Sequence, residues 1–385
     1  MRSIRGRDLR GSLVRIATMK RLALVIVFAA AALLPAAAPG AGCRPLDCAP
    51  SGTPLGHGLL AARPDGVSGT VHVIDLRTGA IKWSLPSGFL GGTTLVSKIG
   101  TTLTWYDALT GKQTATASFT APGSFSLVGA SQDGARGVLQ SYDKATKKTT
   151  FLIVSPAGAK TVVVGTLNWG FDALSGDRLY LLRYLRNGYQ VRRYDLASGT
   201  LLAQPLKDPH ESALIWGTPW ARLASPDGRW LFTLYVGQNG GTMVHELDLR
   251  NSTARCVDLP GTGDFNAATS YAMELSHDGR TLWAASPGYG RVAAIDVVKA
   301  KVKVAFRFRR PASYTEAPTA SVSALSPSGS QLAVSVGSEL WFVSTTHRTV
   351  VKAKPRAVLA LGFSTDGTKL WALTKGDAVV ALPLA

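Results

Sequence analysis

The segment "LASPDGRWLFTL", residues 223–234, is one copy of a phrase that the chain repeats, and this repetition constrains the fold more than any other feature. An apolar run, a Ser-Pro-Asp-Gly turn and a second apolar run recur as "SQDGAR" from Ser131, "SHDGRTLW" from Ser276, "SPSGSQLAV" from Ser326 and "STDGTKLW" from Ser364, with a shorter "SGDRLYLL" from Ser175. From Ser225 to Ser276 is 51 residues, from Ser276 to Ser326 is 50 and from Ser326 to Ser364 is 38. A second landmark runs in phase with the first: "IDLRTG" at Asp75, "YDALTG" at Asp107, "YDLASG" at Asp195, "LDLRNS" at Asp248 and "IDVVKA" at Asp296. Asp and Asn side chains bond their own backbone in turns, and Gly accepts positive φ, so both landmarks read as hairpin corners.

Each unit therefore reads as four strands. Residues 219–259 show them as "PWARLAS", "RWLFTLYV", "TMVHELDL" and "TARCVDL". A lone sheet of this kind leaves two apolar faces wet, and stacking like sheets radially covers both. The run Trp230 to Val236, apolar at nearly every position, fits a strand covered on both faces. Trp283, Trp341 and Trp371 are then filler between neighbouring blades. Six units begin near residues 87, 123, 167, 217, 268 and 319, with three further strands at each end. The expected fold is all-β, a propeller of seven four-stranded blades closed by pairing of N- and C-terminal strands, with eight blades as the alternative.

These turns and strands resemble the WD40-like and YVTN-type β-propeller repeats of exported bacterial proteins over residues 57–385, although the Trp-Asp dipeptide of the WD40 class is absent. The resemblance implies a binding or scaffold module, or a lactonase-like hydrolase or isomerase, since this repeat serves both.

The N-terminus reads as an export segment. Lys20 and Arg21 precede the apolar run Leu22 to Leu34, and "PAAAPGAG" leads to Cys43. Thirteen apolar residues are too few for a membrane span, which takes about 20. The expected organisation is a leader over 1–42, a Cys-containing linker over 43–56 and the propeller over 57–385; a start at Met19 leaves a leader of ordinary length. Cys43 follows a region resembling the lipobox of lipid-modified bacterial proteins, with Gly40 where that pattern prefers Leu. Lipidation of Cys43 leaves Cys48 and Cys256 to pair, whereas an unmodified Cys43 allows the loop Cys43–Cys48 instead. Six of the eighteen net positive charges lie in the first 42 residues, leaving +12 on the remainder. That charge fits contact with anionic surfaces of the cell envelope, not nucleic acid.

Candidate site residues lie in three consecutive inter-blade loops. "LKDPHESALIWGTP", "PGTGDFNAATS" and "RRPASYTEAPTA" bring Asp208, His210, Glu211, Asp264, Asn266, Tyr314 and Glu316, with Trp216 and Trp220, towards one rim. Such a rim suits a protein or envelope glycan bound by a monomer; in the hydrolase reading its carboxylates hold Ca or Mg and act as general acid and base. No His pair has zinc-ligand spacing, no G-x-S-x-G elbow is present, and "GQNGG" from Gly237 lacks the Lys and helix of a phosphate cradle. Read with period two, "KAKVKVAFRFRR" places Lys299, Lys301, Lys303, Arg307 and Arg309 on one side of an outermost strand. Lysines there block edge-to-edge pairing, or form a basic stripe for anionic polymers.

Overall fold

The structure, a computed structural model, describes residues 51–120, 123–165, 169–186, 188–208, 214–308, 321–336, 339–346, 350–353 and 358–384. They form eight antiparallel sheets, each built from consecutive strands. Seven sheets have four strands, and the last, Val358–Phe363, Leu370–Thr374 and Ala378–Leu382, has three among the described residues. We number them as blades 1 to 8, spanning 51–85, 89–118, 126–164, 169–201, 218–259, 272–307, 322–353 and 358–382.

Eight blades, not seven, arise because among the described residues the terminal units do not pool their strands. Ser51–Gly56, expected in the linker, forms the innermost strand of blade 1 and completes that sheet by itself. The ring is closed by packing: Leu60, Ala62 and Ile74 of blade 1 form one apolar cluster with Ala360 and Leu373 of blade 8. Seven further clusters bridge the other seven junctions, one at each. Every residue of Trp230–Val236 is buried, as a strand flanked by two blades requires.

The repeated Ser turn is a hydrogen-bonded unit. Its hydroxyl donates to the Asp two residues on, at 2.5 Å from Ser131 and Ser225 and 2.6 Å from Ser276 and Ser364. The same oxygen accepts the backbone N–H five residues on, from Arg136, Trp230, Thr281, Gln331 and Lys369. One side chain thus satisfies both ends of the corner, which is why the serine recurs. In the last copy the Ser364 and Thr368 hydroxyls and the Thr368 N–H hold the Asp366 carboxyl down to about 2.

The Asp landmark couples blades to one another. The residue after each Asp donates its N–H within its own blade, as Leu76 does to Gly58 and Leu249 to Arg229. Its carbonyl accepts from the preceding blade: Leu76 from Trp371 at 2.8 Å, Ala108 from Trp83 at 3.1 Å, Leu249 from Tyr180 at 2.8 Å, Val297 from Arg255 at 2.6 Å, and Leu196 from Lys160. The glycine ending the turn has φ +74° at Gly79 and +73° at Gly111. A Cβ there would stand 2.4 Å from the Trp371 ring and 2.8 Å from the Trp83 ring, so the turn needs glycine for its conformation and for the tryptophan it receives.

Candidate functional site

Because strands alternate in direction, the Ser and Asp turns share one face of the ring. The inter-blade loops and the hairpins joining second to third strands share the other, here the upper face. After Thr200–Leu201, the chain pairs twice more with the third strand of blade 4, Leu206 opposite Val191 and Ile215 opposite Tyr189. Between these bridges Asp208 turns outward and accepts the Cys256 N–H, at 3.3 Å, on the outermost strand of blade 5. Asp264 caps the short helix Phe265–Thr269, accepting the Ala267 N–H at 3.0 Å. The two aspartates thus serve separate places, one on the outer flank and one on the upper face. Asn266 lies in the helix, and its carbonyl accepts the Thr269 hydroxyl at 2.8 Å. His210, Glu211, Tyr314, Glu316 and Arg309 lie outside the described residues.

The upper face over blades 5 and 6 is knitted together by residues the loops alone did not reveal. The Tyr289 hydroxyl lies 2.7 Å from both the Gly240 and the Asp264 carbonyls, and Gly263 donates to the Asn239 carbonyl at 2.7 Å. Trp216, 40% exposed, lies over Gly237 and Gly241; a Cβ on Gly237 would meet its ring at 2.2 Å. Trp220 meets Phe265 edge-on, with centroids 6.3 Å apart. Tyr289 had a legible signal, an aromatic between two glycines in "SPGYGR" at a second-to-third strand hairpin. Among the described residues no three His, Cys, Asp or Glu side chains come together to hold a metal.

Beneath this face a polar core joins blades 4 and 5. A bulge between Phe171 and Ala173 re-aims Asp172, which is 3% exposed and accepts from Arg222 at 2.6 Å. Arg222 also donates to the Asp172 carbonyl at 3.0 Å, so one guanidinium clamps two innermost strands. Tyr235, fully buried, packs against Tyr189 at 5.3 Å and edge-on to His245 at 6.2 Å. Burial pushes His245 down to about 4, keeping its ring neutral.

Two glutamates, Glu246 buried and Glu274 half-buried, add a pH dependence of opposite sign. Glu246 has no exposure, one oxygen 3.2 Å from Arg255 and the other without a partner; burial outweighs the arginine and raises it to about 8. Glu274, which accepts from the Ser323 hydroxyl of blade 7 at 2.9 Å, is raised by burial to about 7. Unfolded, both ionise near 4.5. Between that value and the folded one the native state holds a proton that the unfolded chain has released, so stability falls as pH rises across this window. Urea midpoints at pH 5 and pH 8 are expected to fall for the parent and to fall less for Glu246→Gln. Equal drops in both proteins would remove Glu246 from the account. His245 works the other way, its contribution being lost as pH falls from 6.5 through 4.

One expectation is corrected by the geometry. In the outermost strand Lys301–Arg307, Val302 lies opposite Ile295 and Val304 opposite Ala294, so Lys303 is an inserted residue. The bulge reverses the alternation. Lys301 shares a face with Asp296, and Lys303 reaches Thr281 at 3.1 Å, whereas Arg307 shares the other face with Arg291. The basic residues are exposed but form no single stripe. Cys256 lies on the outermost strand of blade 5, and Cys43 and Cys48 lie outside the described residues.

The described fold is a β-propeller. No family model and no curated protein matches the chain. Solved structures of similar fold include a "Structure of Dos1 propeller", 12% identical over 87% of this chain and 91% of that one, with a TM-score of 0.48. The β-propeller domain of Cps50 (Swd1) from Myceliophteria thermophila is 14% identical over 84% and 91%, with a TM-score of 0.43. Hydrazine synthase of Kuenenia stuttgartiensis is 14% identical over 77% and 94%, with a TM-score of 0.42. At these identities the likeness concerns the fold alone.

Proposed function

We propose that the protein is an exported, non-catalytic binding module that takes a partner protein of the cell envelope on the upper face over blades 5 and 6. The observation that carries this reading is Trp216, a large exposed ring seated on a glycine platform. Around it, the loops are tied by Tyr289, Asn239 and Asp264, so the aromatic is presented with little ordering cost on binding. The two described carboxylates of the hydrolase alternative, Asp208 and Asp264, accept backbone N–H groups, which favours a structural use for both. Export rests on the leader-like order of charge, apolar run and small residues before Cys43.

Trp216→Ala tests the reading. Quantitative affinity capture from an envelope extract of the source cells, using parent and variant in parallel, is expected to show partners whose retention drops at least tenfold with the variant, the loss of about 1.4 kcal/mol or more typical of an interface anchor. The melting temperature should stay within the range of a surface change. An identical set of retained proteins would overturn it.

A further inference from the structure

Blade 4 turns a second polar face towards blade 3, and the upper-face reading does not use it. Pairing places Arg183 between Trp169 and Gln190, and Arg192 opposite Leu181, so both arginines project from the same side of the sheet as diagonal neighbours. Arg192 is 8% exposed and Arg183 is half-buried. The Nε–H of each is buried and unpartnered. Arg192 gives one hydrogen bond, from Nη2 to the Leu202 carbonyl at 2.5 Å, and Arg183 lies 6.0 Å from the Trp169 ring centroid. Among the described residues no carboxylate stands within ion-pair distance of either, while five other arginines of the fold each have one.

Two adjacent guanidinium groups, one buried and one half-buried, repel one another, and burial and Arg183 together push the Arg192 pKa down. Buried charge of one sign is retained at a cost unless an opposite charge completes it. Guanidinium forks match the oxygens of tetrahedral oxyanions through paired N–H donors.

We propose that Arg183 and Arg192, with the Gln190 amide on the same face, form a binding site for a phosphate-class oxyanion at the junction of blades 3 and 4. The anion neutralises the pair and ties the second and third strands of blade 4 together. It therefore binds the folded chain and not the unfolded one, and stabilises in proportion to its occupancy.

The test is thermal unfolding of the full chain in sodium phosphate against sodium chloride at matched ionic strength and pH. Phosphate is expected to raise the melting temperature saturably above chloride. Arg192→Gln is expected to weaken the phosphate midpoint at least tenfold. Arg183→Gln, which relieves the repulsion, should weaken it similarly while raising the melting temperature of the anion-free protein, so a folded variant remains measurable. A second titration with glycerol 3-phosphate separates the sources: a matching rise assigns a phosphoryl ester as ligand, and a rise with inorganic phosphate alone assigns the free anion. No rise above chloride, or equal rises in parent and both variants, would overturn the site.

Discussion

Trp371→Ala should lower the urea midpoint more than the loss of any exposed side chain, by about 3 kcal/mol in unfolding free energy. The indole of Trp371 fills the junction of blade 8 with blade 1, where its Nε1–H donates to the Leu76 carbonyl at 2.8 Å and its ring lies on Gly79. No strand is shared across that junction among the described residues, so side chains alone join the last blade to the first. Trp371→Phe keeps most of the packing and removes the hydrogen bond, and is expected to cost only about 1 kcal/mol. If the alanine variant unfolds with the parent, the seam is not where the ring is held closed.

Arg222→Met should be comparably damaging for a different reason. It leaves the Asp172 carboxylate, 3% exposed, without the guanidinium that lies 2.6 Å away. Removing one partner of a buried pair typically costs about 3–5 kcal/mol, most of it the penalty of the stranded charge. Asp172→Asn in the same chain removes that charge, so the double variant should recover a large part of the loss in chemical denaturation. An additive double variant, no better than Arg222→Met with the cost of Asp172→Asn added, would show that the two side chains do not act as a pair.

The turns were legible because their chemistry is local. A hydroxyl, a carboxylate and a glycine at fixed offsets close a corner whatever surrounds it, and units expected from residues 123, 167 and 217 open with strands at Ser126, Trp169 and Thr218. Ser51–Gly56 was not legible. "SGTPLG" carries two glycines and a proline, and an innermost strand facing the channel needs no apolar alternation to announce it. The insertion at Lys303 was hidden because a bulge leaves the composition of a strand unchanged while reversing its faces.

The candidate site divides in the same way. The exposed Trp216 and the polar loops were readable as surface features, but Asp208 and Asp264 look alike in sequence and differ in use: Asp208 accepts the distant Cys256 N–H, whereas Asp264 caps the helix beside it through the Ala267 N–H. The Asp172–Arg222 pair gave no sequence signal because it joins the innermost strands of two neighbouring blades, and the Arg183–Arg192 face gave none because it depends on the register of one hairpin.

Spin-label distances test the ring most directly. Lys82 on the outermost strand of blade 1, Ala381 on the last strand of blade 8 and Thr253 on the outermost strand of blade 5 are all exposed and suited to labelling in pairs. Eight blades closed by blade 8 against blade 1 require a single short distance from Lys82 to Ala381 and a much longer one from Lys82 to Thr253. A Lys82–Ala381 distance as long as the Lys82–Thr253 distance would mean that the first and last sheets do not meet.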